Sequence, residues 1–489
     1  MAVAARRTRV TLRLPSPKTL VWVAMAAFAA EFISLSLLRH RAYNTGRFDL
    51  GNIVQAIWTT TQGDFLQQTN LHGEQISRLG SHFEPILAVF APLWMIWPSP
   101  DMLLTVQAIA LALGALPVFW LARKHLRSER VALGLALVYL IYPPLQWLAL
   151  DEFHPGALAC PLLLYAFWYL DEDRLVAFAI FAVLACMTRE EMPLVVAGMG
   201  VWYAVTRRKW AFGLGVAAAG LALTAVIVTF VTPHFRHGAP LSFYGRYKDI
   251  GGSPSEAVRM IFAHPLHVLQ IAFDHRGIRY LFDLLVPLAG ICLLAPLALI
   301  PAAPLLAINL LSSAFGQTSI HFHYTAGEIP SLIAATVFGA AWLARRGARV
   351  ALAITMVILI EVLISNYALG PLPMWRHLPG GAKLGADRSD VAAHDHFADE
   401  ALALIPGNAV VSATNNFGAH LSARPRFLSF PALDDATWVA YDGKHPSFAD
   451  RLVTGEQARN QLLLLKHSPE WKRVFARDRI YVFKRKSQS

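Results

Sequence analysis

A series of apolar runs, each long enough or nearly long enough to cross a bilayer, constrains this chain more than any other feature. The first, Thr19 to Leu38, matches the roughly 20 residues that a helix needs to span about 30 Å of hydrocarbon. Further runs occupy 101–122, 131–149, 157–170, 174–187, 192–206, 211–232, 281–299, 303–316, 328–344 and 350–368. Backbone polar groups in lipid must be satisfied inside the segment, so such runs read as helices. The expectation is an α-helical polytopic membrane protein of about eleven transmembrane helices. Charged residues make up 15% of the 489 residues, against about 25% in soluble domains. That deficit excludes an ordinary cytosolic enzyme and a disordered chain. Cys160, Cys186 and Cys292 all lie in apolar runs without metal spacing, which predicts buried structural thiols.

Charge placement sets the orientation. Residues 1–18 hold Arg6, Arg7, Arg9, Arg13 and Lys18 and no acid, so they read as a basic cytoplasmic N-terminus. The run after them is too long for the core of a cleaved signal and reads as a retained first span. Segment 85–97, PILAVFAPLWMIW, is short for a span and carries Trp94 and Trp97; it reads as an interfacial helix. With that segment left out of the count, three basic loops fall on the cytoplasmic side: Arg123 to Arg130, Arg207 to Lys209, and Arg345 to Arg349. The formal net charge of +11 then needs no nucleic-acid partner. The transmembrane domain is expected over 19–369, in the cytoplasmic (inner) membrane. Loops 39–100, 150–156, 188–191, 233–280 and 317–327 are external, as is the region 370–489.

The uncommon polar residues gather in those external loops. Asp49 precedes apolar residues at 50, 53, 54, 57 and 58, which is helical spacing. It is either a helix cap favoured by the dipole or a general base or metal-positioning carboxylate. His82 and Glu84 stand at i, i+2 before the interfacial helix, and Asp151, Glu152 and His154 crowd the second loop. Two carboxylates and a histidine suit a divalent cation or shared acid–base work, so metal dependence stays open. Arg189 is an external cation between apolar runs. Its anion is either Glu190 or Glu191, or a lipid phosphate. Arg236, Arg246 and Lys248 alternate with aromatics in a loop suited to a sugar or phosphate, or acting as a lid. His321 and His323 would share a face of a strand and offer two metal ligands.

From Leu384 the composition becomes that of a soluble domain. A helix around 390–404 and strands at 409–413, 426–430, 436–441 and 479–484 predict a small α/β unit. It shows no nucleotide loop, serine elbow or zinc spacing.

The stretches FDLGNIVQAIW (48–58), SHFEPIL (81–87), LGALPVFWLARKHL (113–126), YPPLQWLALDEFHPGAL (142–158), TREEMPL (188–194) and HFHY (321–324) resemble a bacterial family of predicted membrane proteins of unknown function. The resemblance covers most of 45–485. The family's layout is similar to the GT-C superfamily of lipid-phosphosugar glycosyltransferases. In that layout Asp49 stands at the first-loop acid, LARK (121–124) at a cytoplasmic turn, Asp151 at a second-loop acid and Thr188-Arg189 at a Thr-Lys motif. The resemblance implies a membrane glycosyltransferase that moves a sugar from a polyprenyl-phosphate donor to an extracytoplasmic glycan, lipid or protein. Asp49, Asp151, Glu152 and His154 would be catalytic, and Arg189 and Arg246 would hold the lipid phosphate. His82, Glu84, His321, His323 and Tyr324 would line the site among membrane lipids. The alternatives are a transporter or flippase of a lipid-linked or polar solute, and a non-catalytic envelope scaffold. Ionisable residues that collect at one surface, with no internal repeat meeting at the midplane, favour the enzyme.

Overall fold

The computed structural model describes residues 15–236, 242–382, 389–445 and 455–486. Arg6, Arg7, Arg9 and Arg13 lie outside those residues. Four described helices are long and apolar enough to cross a membrane: Pro17–Arg41, Pro100–Leu126, Trp210–Phe235 and Ala348–Leu369. Glu129–Ile141 and Pro143–Leu150 make a fifth if taken as one span, bent by 47°. The bend falls at Pro143 and Pro144, where two backbone donors are missing.

The expected count of about eleven is not confirmed: two of the expected runs break up, and others form helices of 12 to 17 residues. Run 281–299 is punctuated by Pro287, Gly290 (φ +65°), Pro296 and Pro301. It breaks into the end of helix His275–Leu285 and the 3₁₀ turns Val286–Leu288, Ile291–Leu294 and Pro296–Ala302. Run 303–316 yields only the 8-residue helix Ala303–Leu310. Helix Pro155–Asp171, 17 residues, is instead buried on nearly every side. A helix apolar all round belongs in a core, and composition alone does not tell it from a lipid-facing span. Helices Met192–Arg207 and Trp210–Val226 pack through small residues. A Cβ on Gly200 would meet Gly213 O at 2.5 Å, so the backbones touch.

The basic loops share one end of this bundle. Lys124 Nζ, His125 Nε2 and Arg207 Nη2 converge on Asp171 at 2.6, 2.9 and 2.9 Å. Lys18 pairs with Glu129 at 3.3 Å. Arg345 borders, with Asp171 and Arg207, a cavity of about 590 Å³ there. Helix Pro155–Asp171 runs from Asp171 to His154, about 25 Å away at 1.5 Å per residue, so Asp151 to His154 occupy the opposite end. Segment 85–97 is a 3₁₀ turn, Pro85–Val89, and a short helix, Phe90–Ile96. It buries Phe90 and Trp94 and turns Met95 and Ile96 outward. The three cysteines are buried and free.

The C-terminal part forms a mixed sheet. After a hairpin in the first loop (β1 Gln67–Thr69, β2 Gln75–Ser77), its strands are β3 Val411–Ala413, β4 Phe427–Ser429, β5 Trp438–Asp442, β6 Trp471–Arg477 and β7 Ile480–Arg485. The order is β4-β3-β5-β7-β6, with β3 parallel to β4 and β5 and the rest antiparallel. Strand β6 is not legible in sequence, because charged residues on its open face break the apolar alternation. Arg47 joins this sheet to the first loop. Its guanidinium donates to Thr69 O at 2.6 Å, Phe427 O at 3.1 Å and the Ser429 hydroxyl.

Candidate functional site

The turn Arg47–Gly51 is π-helical and leads into helix Asn52–Thr61, whose Ile53, Val54 and Ile57 are buried. Glu152 holds that turn. Its carboxylate accepts the Gly46 N–H at 3.1 and 3.2 Å and the Leu50 N–H at 3.1 Å. Glu152 itself sits at φ +54°, a left-handed conformation costly for a non-glycine residue. Gln107, on the span Pro100–Leu126, fixes the loop from below. It accepts the His154 N–H at 2.9 Å and donates to Leu148 O at 3.3 Å and to Glu152 O. A lone amide inside an apolar run was the sequence signal for it.

These supports bring Asp49, Asp151, His154 and His323 together. His154 Nδ1 lies 2.6 Å from Asp151 O. A carbonyl only accepts, so Nδ1 carries a hydrogen. Its Nε2 then faces Asp49 Oδ1 at 3.4 Å. The His154 and His323 rings stack with centroids 3.7 Å apart and 19° between planes. Asp151 Oδ2 accepts the His323 N–H at 2.7 Å and lies 3.0 Å from His323 Nδ1. The Asp49 side chain, 45% exposed, opens to the surface, and neither flanking helix start is capped by a side chain. The capping role is therefore not what this carboxylate does.

The charges are strongly coupled. Burial alone would lower the His154 pKa, but the carboxylates of Asp49, Asp151 and Glu152 lift it to about 9. Partial burial opposes ionisation of Asp49, and protonated His154 overcomes it and holds that carboxylate below its usual value. Burial, then the Asp49 charge, pushes Glu152 up to about 8. Burial and the charges of His154 and Arg189 hold His323 well below its ordinary value, so it is neutral. The cluster is an anionic Asp49 facing a protonated His154.

A cationic wall adjoins it. Arg189 is buried, its Nε 3.0 Å from Glu191 Oε1 and its guanidinium 5.5 Å from the Tyr324 ring centroid. Arg246 lies over the same ring at 5.9 Å and donates to the Tyr324 hydroxyl at 3.1 Å. Of the two sequence-neighbour anions, Glu191 is the partner of Arg189. Burial, then the Glu190 charge, raises Glu191 to about 7 against the pull of Arg189. Glu190 instead pairs with His82 Nδ1 at 2.8 Å and accepts the Phe83 N–H at 3.0 Å. Against the cost of burial, the charge of His82 holds it down at about 2.

Two expectations change. His82 and Glu84 do not form a pair, because Glu84 is buried against Arg78 at 2.7 Å. Residues 321–324 are not a strand, so His321 and His323 diverge. His321 packs edge-on to Trp147 at 4.6 Å and bonds the Ser319 hydroxyl at 2.8 Å. Of the two, His323 is the one that bonds Asp151 and stacks on His154. The donor atoms of Asp151, His154 and His323 lie within 4.8 Å of one another and are where a divalent cation fits. Protonated His154 opposes such an ion, which would have to displace that proton.

The comparisons with known proteins agree with this architecture. Residues 39–475 match the family described as Predicted membrane protein (DUF2079). The chain belongs to this family. No curated protein matches it. Among solved structures, the fold is similar to that of ArnT from Cupriavidus metallidurans in the apo state. The TM-score is 0.53 at 13% identity, over 96% of this chain and 98% of that one. The GT-C-like fold expected from the sequence is therefore borne out as a fold.

Proposed function

We propose that this DUF2079 protein is a GT-C-type glycosyltransferase that moves a sugar from a polyprenyl-phosphate donor to an extracytoplasmic acceptor. The observation that carries the reading is the ion pair of Asp49 and His154 beside the Arg189–Tyr324–Arg246 wall, at the end of the bundle opposite the basic loops. Under the positive-inside rule those loops are cytoplasmic, and the site and the C-terminal sheet face outward. Asp49 takes the proton of the acceptor hydroxyl as its oxygen bonds the anomeric carbon. The bond from that carbon to the phosphate oxygen breaks, and the polyprenyl phosphate leaves with the electron pair. Its growing charge is met by Arg189 and Arg246. Glu191, poised near neutrality, yields Arg189 to the phosphate. Asp151 orients His323, and Glu152 holds the turn that carries Asp49.

The test uses purified full-length protein and polyprenyl phosphate. The reading expects saturable binding that Arg189→Gln weakens, and sugar transfer from polyprenyl-phosphate donors. Binding without transfer from any such donor would move the assignment to a lipid-linked-solute flippase. Absence of binding would remove both.

A further inference from the structure

We propose a zinc-type metal site in the C-terminal domain, built from His394, Asp442 and His445. The three come from separate elements. His394 lies in the first turn of helix Ala393–Leu402, Asp442 ends strand β5, and His445 follows it in the loop. One ligand atom from each lies within 4.8 Å of the others. The His394 and His445 rings meet at 4.7 Å with their planes 89° apart.

The orientation of His394 points to an ion rather than to a plain hydrogen bond. Its Nδ1 lies 2.8 Å from Asp478 Oδ2, and an ionised carboxylate only accepts, so Nδ1 carries the hydrogen. Its Nε2 is left aimed at Asp442 Oδ2, 3.3 Å away. The side chain is 2% exposed, yet Nε2 is a buried nitrogen with no hydrogen-bond partner. Two ligands bound at about 2.05 Å to a tetrahedral ion stand about 3.3 Å apart. A carboxylate on the far nitrogen of a ligating histidine is the usual means of fixing its tautomer and ring angle.

Asp442 is equally prepared. Its Oδ1 accepts the N–H groups of Lys444 at 2.8 Å and His445 at 3.3 Å, which turns the loop so that His445 returns to the site. Its Oδ2 accepts the Asn416 amide at 2.7 Å. Two imidazoles and one carboxylate suit a borderline transition ion, zinc foremost, over magnesium or calcium. His445 is exposed, so the group opens to water on that side.

The site shares no residue with the proposed sugar-transfer cluster but is mechanically tied to it. Asn416 belongs to helix Asn415–Leu421, and its neighbour Asn415 accepts the Phe48 N–H at 2.9 Å. An ion there pins helix Ala393–Leu402, strand β5 and this helix together behind the turn that carries Asp49.

The experiment measures bound zinc by elemental analysis in full-length protein stripped with chelator and re-dialysed against Zn²⁺. His445→Ala is the main variant, since an exposed residue can be removed with the fold kept. Asp442→Asn is the second. The comparison is repeated in a His323→Ala background, where the Asp151–His154–His323 group has lost a donor. The expected result is one equivalent of zinc lost with His445→Ala in both backgrounds. A rise in melting temperature on adding zinc to the parent is expected to disappear in the same variant. A parent protein without tightly bound zinc, or zinc content unchanged by His445→Ala in either background, overturns the proposal.

Discussion

His154 presents Nε2 to Asp49 Oδ1 at 3.4 Å across two loops that are far apart in sequence. The residues that position this pair come from the loops and the span directly around it. Glu152 grips the Asp49 turn, Gln107 grips the His154 backbone, and Asp151 accepts from His154 and aligns His323.

The first prediction concerns Asp49. General-base help is worth about 10²–10⁴-fold, and Asn at this position keeps the shape without the charge. Asp49→Asn should therefore cut sugar transfer by that factor while the melting temperature stays within a few degrees of the parent. Turnover within a few-fold of the parent would leave Asp151 as the carboxylate to test.

The second prediction is a pH dependence with a definite sign. His154 binds its proton up to about pH 9 in the fold, above its ordinary 6.5. Glu152 keeps its proton up to about 8, above its ordinary 4.5. In both cases the folded state holds more protons than the unfolded one, so stability falls as pH rises. The His154 contribution is complete below about 6.5 and gone above about 9, and Glu152 adds to the decline up to about 8. Thermal midpoints from pH 6 to 10 should drop, and His154→Gln should flatten the upper part of the curve. An unchanged slope in that variant would show that other groups cause it.

The third prediction separates charge from geometry at Arg189. Lysine keeps the charge but loses the planar fork and the stacking on Tyr324. A charge-assisted hydrogen bond is worth about 1.5–3 kcal/mol, so Arg189→Lys should weaken polyprenyl-phosphate binding by about 10- to 150-fold. Glutamate here would add a fourth carboxylate to Glu84, Glu190 and Glu191 and is expected to unfold the loop, so it is the less useful variant. Equal affinity in Arg189→Lys would mean the phosphate is held elsewhere.

As candidates, Asp49, Asp151, Glu152, His154, Arg189, Arg246 and His323 were legible because ionisable residues stand out between apolar runs, and Tyr324 through the HFHY stretch of the family resemblance. Their pairings were not. Glu190 and Glu191 are adjacent, yet one serves His82 and the other Arg189, which only the turn before helix Met192–Arg207 decides. The GT-C-like fold was legible from motif order, whereas the span count was not. Hydropathy weighs residues in run 281–299 without the prolines that break it. His394, Asp442 and His445 escaped notice because folding, not sequence spacing, brings His394 to the other two.

The last prediction tests whether the C-terminal sheet is part of the site. Helix Asn415–Leu421 lies directly on the turn that bears Asp49. A Cβ on Gly418 would sit 2.0 Å from Arg47 Cβ, 2.5 Å from its Cα and 2.7 Å from its nitrogen. Backbone cannot retreat as a flexible side chain can, so Gly418→Ala must push the helix and the turn apart. Arg47 then loses part of its buried hydrogen bonding to Phe427 O and Thr69 O, with no carboxylate partner among the described residues to replace it. Each such bond from a charged donor is worth about 1.5–3 kcal/mol. The Glu152 bonds to Gly46 and Leu50 hold the other side of the turn and are untouched by this change, so the bundle should stay folded. Gly418→Ala should thus release the C-terminal domain to limited proteolysis and lower transfer through misplacement of Asp49. Arg47→Ala should do the same by loosening the joint from the opposite side. Full transfer activity in a Gly418→Ala protein whose C-terminal domain has become protease-sensitive would show that the sheet caps the site without positioning Asp49.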